Sequence, residues 1–189
     1  MSNRIPTEEN LDNQQKDFLK NMKDNNFAGR NIWIKGFPGS GKSVLLIYAI
    51  KYLLNNKVTQ NAKIVLVVFT HSLIEHCKAE LAELNISNVR IVTMYEFLKT
   101  KRKYDYILCD EVQDLTSRIL TAMKERAGSM LIVAGDSNQS IYCRDPQYQE
   151  PVVTPEQISQ IIDCENWGLL YVYRLTRSVI TAIQRMMPS

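Results

Sequence analysis

The sequence predicts an α/β fold, a doubly wound and mainly parallel sheet with helices on both faces, because strand-like and helix-like segments alternate along it. Two further observations support that reading. The run KIVLVVF at 63–69 is continuously apolar after Lys63, as a central strand buried on both faces requires. The glycine-rich string GFPGSGKS at 36–43 stands between the short apolar run NIWIK and KSVLLIYAIKYLL, whose apolar residues recur at helical spacing. Strand, tight loop and helix therefore follow one another there.

The elements can be justified in order. Leu11, Gln15, Phe18, Leu19 and Met22 give a leading helix one apolar side, and NIWIK, the glycine-rich loop and its helix follow. After KIVLVVF comes HSLIEHCKAELAEL as a helix, then VRIV at 89–92 as a strand and TMYEFL as a short helix. YDYILCDE is the next strand, TSRILTAMKERA a helix and SMLIVAGD at 129–136 a strand. Residues 143–153 read as irregular. Thr154, Pro155 and Gln157 have the types of an N-cap, a first-turn proline and a capping-box partner, opening the helix EQISQIID. GLLYVYRL reads as a last strand and TRSVITAIQRMM as a last helix. In such a sheet the ligand is expected at the carboxyl ends of the strands.

The residue types of the glycine-rich string suit phosphate chemistry. Gly36, Gly39 and Gly41 permit backbone conformations and close approaches that a Cβ would forbid, so that successive N–H groups, with Pro38 and Ser40 between the glycines, can face phosphate oxygens. Lys42 stands where an ammonium reaches the β- and γ-phosphates, and the Ser43 hydroxyl where it can ligate Mg²⁺. Asp110 ends a later apolar strand and is the expected outer partner of that metal. Glu111 beside it is the candidate general base for an attacking water, which favours hydrolysis over transfer to another acceptor. The expected ligands are a nucleoside triphosphate, ATP, and Mg²⁺.

Composition bounds the alternatives. With 189 residues, 45% hydrophobic and 23% charged, the chain is expected to form one globular domain over 1–189. The formal charge of +3 is compatible with a nucleic-acid partner without being diagnostic. Cys77, Cys109, Cys143 and Cys164 form no C-x2-C pair, so reduced buried thiols are expected, and with them a cytoplasmic protein. No apolar signal core or membrane-length stretch is visible. His71 and His76 are five apart with no ligand set around them and read as helix residues.

Beyond the loop and the acidic pair, LDNQQ precedes the first strand, VVFTHSL and VTMYEFL follow the loop, CDEVQD carries the acidic pair, and GDSNQSIY and YRLTRS come after it. This ordered set resembles the UvrD/Rep-like helicases of superfamily 1, over about residues 11–185. The resemblance implies the first RecA-like, ATP-binding domain of a DNA helicase. By the same resemblance Gln15 reads the adenine edge, Tyr173 stacks on adenine, Gln139 contacts the γ-phosphate with Asp136 holding its loop, and Arg174 stabilises transition-state charge. Gln113 is expected between the metal site and Gln139.

Thr70, His71, Thr93, Tyr95 and Tyr142 fall where the family touches single-stranded DNA. RNA is an open alternative, and Thr70 and Thr93 also suit helix N-caps. Lys99, Lys101, Arg102 and Lys103 fit either a solvated charged loop or an extension of a phosphate track.

The departures from the family pattern also carry information. Tyr142 is followed by CRDP where the family usually has x-F-R-G, and only 16 residues separate Thr93 from Asp110, leaving no room for the family's usual helical insertion. The chain stops soon after YRLTRS, so the second RecA-like domain is expected to be absent, or supplied by a partner chain. Weak or no ATP hydrolysis and no unwinding by this chain alone are the expectations. A nucleotide-binding regulatory or scaffold module without motor activity is the alternative.

Overall fold

Six parallel strands lie side by side in the order β3-β2-β4-β5-β1-β6, in a computed structural model that describes residues 5–136 and 143–173. In chain order the elements are α1 (Asn13–Lys23), β1 (Asn31–Gly36), α2 (Lys42–Asn55), β2 (Ile64–Val68), α3 (His71–Glu83), β3 (Arg90–Thr93) and α4 (Met94–Lys99). They continue with β4 (Tyr104–Cys109), α5 (Ser117–Arg126), β5 (Ala127–Gly135), α6 (Pro155–Ile162) and β6 (Cys164–Leu169). Two 3₁₀ turns, Glu8–Asn10 and Val112–Asp114, complete the described elements. Every neighbouring pair of strands is parallel, as the alternation of strand and helix requires.

Side chains alternate across the sheet with period two, and the two faces bury separate clusters. Ile32, Ile34, Leu66, Leu108 and Ile132 point toward α1, α2 and α3 and pack with Phe18, Leu46 and Ile50. Trp33, Val65, Val67, Ile107 and Val133 point toward α4, α5 and α6 and pack with Phe97, Ile119 and Ile158. β2 is buried at all five positions, which is why its sequence reads as an unbroken apolar run. Among the described residues no helix is long and apolar enough to cross a membrane.

The helices start where capping chemistry places them. The Asp12 carboxylate accepts from Gln15 N at 2.8 Å while Gln15 Oε1 accepts from Asp12 N at 3.1 Å, a capping box that fixes the first turn of α1. The box at α6 is the one the sequence indicates: Thr154 Oγ1 accepts from Gln157 N and Gln157 Oε1 from Thr154 N. Asn31 then ties α6 to the sheet, donating to Ile162 O at 2.6 Å and accepting from Leu131 N at 3.0 Å.

One reading is revised. Among the described residues the last strand is CENWGL at 164–169, earlier than GLLYVYRL: β6 pairs with β1 from Asn31↔Cys164 to Gly36↔Leu169, and β1 ends where the glycine-rich loop turns away. Residues 170–173, though more apolar, therefore lie outside the sheet. The segment 143–153 holds no helix or regular strand, but it is organised around buried Asp145, which accepts from Gln147 N at 3.0 Å and Tyr148 N at 2.6 Å. All four cysteines are free thiols, but only Cys77 and Cys109 are buried as expected; Cys164 is half-buried and Cys143 exposed. The expected last helix lies outside the described residues.

Candidate functional site

The carboxyl ends of β1 and β4, adjacent to the central β5, bring the glycine-rich loop and the acidic pair together. The loop leaves β1 at Gly36 and re-enters regular structure at Lys42, with Gly39 at φ 77° and Gly41 at φ 87°, both in the left-handed region that glycine tolerates. A Cβ on Gly41 would sit 2.3 Å from Gln15 Nε2, and one on Gly36 would sit 2.5 Å from Ser40 Oγ. Pro38 is exposed on the outside of the turn that Ser40 N closes by donating to Phe37 O at 3.1 Å.

Lys42 lies buried under this loop, its ammonium donating to Gly36 O at 2.7 Å and Phe37 O at 3.1 Å. Ser43, one residue on, donates its hydroxyl to Asp110 Oδ2 at 2.6 Å. Asp110 Oδ1 accepts from Glu111 N at 3.0 Å. Burial, and then the neighbouring Glu111 charge, push the Asp110 carboxyl above its ordinary value, with the Ser43 bond opposing them. A bound cation would reverse that balance in favour of the carboxylate.

Glu111 occupies the left-handed region at φ 55°, which points it away from the strand direction. Its carboxylate accepts from Gln113 Nε2 at 2.7 Å, and Gln113 Oε1 in turn accepts from Asp136 N at 3.2 Å. Gln113 thus joins the acidic pair to the end of β5.

On the other side of the loop, the start of α1 and the chain after β6 meet. Gln15, buried, donates to Ser40 O at 3.0 Å. Tyr173 N donates to Gly39 O at 2.9 Å and its hydroxyl donates to Asp12 Oδ2. Burial and the Asp12 carboxylate push that phenol up to about 12. Gln14 contributes as well, accepting at Oε1 from Leu170 N at 2.9 Å and at its carbonyl from Trp167 Nε1 at 3.3 Å. Phe37, Leu170, Tyr171 and Tyr173 are all more than half exposed.

The residues expected at nucleic acid lie past the ends of β2 and β3. Thr70 caps α3, accepting from Leu73 N at 3.4 Å, and His71 begins that helix on the surface. Thr93 is buried and engaged in a capping box with Glu96, so its hydroxyl already serves the N-cap the sequence allowed. Tyr95 is half-buried, its hydroxyl donating to Asp145 Oδ2 at 2.9 Å and its ring 5.7 Å from that of Tyr148 in an edge-on arrangement. Gln139, Tyr142 and Arg174 lie outside the described residues. Sequence reasoning missed Asp12, Gln14 and Asp145. The D-x-x-Q spacing at 12–15 is the signal that could have found the first of these.

The residues present fit a magnesium-bound triphosphate. Gly39 and Gly41 leave a concave loop that a Cβ would fill, the buried Ser40 hydroxyl has no hydrogen-bond partner among the described residues, and Ser43 with Asp110 supplies two hard oxygen donors. Magnesium is commonly held by few protein oxygens together with phosphates and water, which matches so small a donor set.

This sheet order, with a glycine-rich loop after β1 and an acidic pair after β4, defines a RecA-like α/β domain of the helicase type. The chain belongs to the family described as the viral superfamily 1 RNA helicase core domain, which matches residues 32–182. F-box DNA helicase protein 1 of Schizosaccharomyces pombe is 35% identical over 54 residues, 29% of this chain and 6% of that protein.

Among solved structures, one concerned with DNA unwinding at forked double-stranded DNA by two coordinating Pif1 helicases superposes with a TM-score of 0.56 at 13% identity, over 93% of this chain and 47% of that one. Pif1 helicase from Candida albicans gives 0.51 at 20%, over 87% and 40%, and the Pyrococcus furiosus Hef helicase domain 0.55 at 14%, over 88% and 38%. At these identities the likeness is one of fold. The chain spans less than half the length of each of these structures.

Proposed function

We propose that this chain is the first RecA-like, ATP-binding domain of a superfamily 1 helicase, binding Mg²⁺-ATP and single-stranded DNA or RNA, and hydrolysing ATP weakly without a second domain. The observation that carries the reading is the convergence of two motifs far apart in sequence: Ser43 and Asp110 meet at 2.6 Å, beside Lys42 and Glu111. Within superfamily 1, the order of LDNQQ, CDEVQD, GDSNQSIY and YRLTRS favours a UvrD/Rep-like member, and a Pif1-like one shares the same fold.

In this mechanism the N–H groups of the glycine-rich loop bind phosphate oxygens, and Lys42 exchanges its two carbonyl partners for the β- and γ-phosphates. Ser43 and Asp110 would hold the magnesium ion, which when bound neutralises charge on the phosphates. Glu111, held by Gln113, orients the attacking water and accepts its proton. Gln15 and Tyr173 take the adenine, Gln139 senses the γ-phosphate, and Arg174 stabilises charge as it spreads. Thr70, His71, Thr93, Tyr95 and Tyr142 are the proposed nucleic-acid contacts. The more than half-exposed Phe37, Leu170, Tyr171 and Tyr173 support a second RecA-like domain or partner chain over this face.

Steady-state phosphate release from Mg²⁺-ATP, with and without saturating oligo-dT and with Glu111→Gln as the blank, tests the reading. Low turnover raised by oligo-dT and lost in the variant is expected. Tight nucleotide binding with no response to nucleic acid would instead support a regulatory module.

A further inference from the structure

β3 is an edge strand, and along its outer side runs an open groove of about 740 Å³ between α3 and α4. Its floor is apolar, from Ile74, Ile91 and Val92, and its rim is charged. The acidic members of that rim are already engaged: Glu75 pairs with Lys78 at 2.8 Å, and Glu96 accepts from Thr93 N at 2.9 Å to complete the α4 cap. Arg90 and Lys99 are exposed and in none of the ion pairs found among the described residues. Exposed Lys101, Arg102 and Lys103 follow directly after α4. Glu96 keeps its charge near Lys99 and His71, yet the lining sets three cations, Lys78, Arg90 and Lys99, against two carboxylates, Glu75 and Glu96, so the groove is net positive.

We propose that this groove is a phosphate track that carries single-stranded nucleic acid off the face bearing Thr70 and Thr93 and along the outer edge of the sheet, with Arg90 and Lys99 as its principal phosphate contacts. The inference rests on the functional reading above and extends it to a surface that the motif residues do not cover. Continuity supports it, since His71 both begins α3 beside Thr70 and lines the groove. The described lining has no Phe, Tyr or Trp, and its imidazole, His71, belongs to the end beside Thr70, so the rest of the track grips backbone rather than stacking bases, and its binding is independent of sequence. An acidic peptide would also match the charge, but one end of the groove opens at the proposed strand contacts, which favours nucleic acid.

The test is fluorescence anisotropy of labelled oligo-dT of about 6 and about 16 nucleotides, near the short and long ends of usual single-strand site sizes. It compares the wild type with the Arg90→Glu/Lys99→Glu double variant across a salt series. Both positions are exposed, so the variant should keep its melting temperature, which is measured alongside. The longer oligonucleotide should bind the variant several-fold more weakly, with a log–log salt slope smaller by about 1.4, or 0.7 for each lost single-strand phosphate contact. The shorter one should bind both proteins alike.

Equal effects on both lengths, or on neither, in a wild type that binds both would overturn the track while leaving the functional reading in place. A wild type that binds neither length would remove the reading and the track with it. Displacement of the long oligonucleotide by polyglutamate, without any length dependence, would reassign the groove to an acidic peptide.

Discussion

Gln113 donates to the Glu111 carboxylate at 2.7 Å while accepting from the backbone of Asp136 at 3.2 Å, so one buried amide spans the proposed base and the end of β5. An amide is suited to this because it offers a donor and an acceptor on one planar group. Its geometry fixes where the Glu111 oxygens can sit.

Replacing Gln113 by Leu removes both bonds, one of them to a carboxylate. A loss of about 1–3 kcal/mol is expected from deleting these buried hydrogen bonds. Urea denaturation should show a lower midpoint with an unchanged slope. Phosphate release should fall as well, because Glu111 is no longer oriented.

Gly41→Ala introduces a Cβ into left-handed backbone at φ 87° and against Gln15 Nε2. The conformation alone costs an alanine about 1–2 kcal/mol, and the contact with Gln15 adds to that. The expected outcome is a lower melting temperature together with lost affinity for a fluorescent ATP analogue. Wild-type affinity in this variant would exclude the loop as the phosphate site.

Tyr95 separates a structural role from a nucleic-acid one. Tyr95→Phe deletes the bond to buried Asp145 and should destabilise the fold by about 1.5–3 kcal/mol, the range for hydrogen bonds to charged groups. It retains an aromatic ring, so oligonucleotide affinity should persist if stacking is the contact. Tyr95→Ala should lose both. Thermal melts and anisotropy on the two variants give the comparison.

Glu8 supplies a pH signature away from the site. Burial raises its carboxyl, but the bonds from Lys51 at 2.5 Å and Tyr52 at 2.7 Å outweigh that and hold it below the ordinary 4.5. A depressed folded pKa means that the folded state binds fewer protons than the unfolded one. The resulting stability is present above pH 4.5 and is lost as pH falls through the folded value. Glu8→Gln should therefore flatten the acid limb of the melting-temperature profile and leave its slope near neutrality unchanged.

The legible parts of the molecule were those written in local pattern. β2 announces itself because both faces are buried, and the loop from Gly36 to Ser43 because phosphate chemistry constrains its residue types. The acidic pair was placed correctly because a strand must end before it. What stayed hidden depends on partners remote in sequence. Leu170 and Tyr171 look more strand-like than Glu165 and Asn166, yet β6 is defined by where β1 offers backbone to pair with. Asp145 looks like a loop residue, and only the fold brings it to Tyr95.

β1 is held between β5 and β6, with Ile32 opposite Ile132 and Asn31 opposite Cys164, so both its neighbours in the sheet follow it far along the chain. On the ribosome, the early segment NIWIK would emerge long before either partner and wait as an unpaired apolar strand. Pairing across such separations is slow, and nascent β1 is exposed to aggregation in the interval. Assembly of the loop that β1 carries is thereby deferred until translation has reached β6.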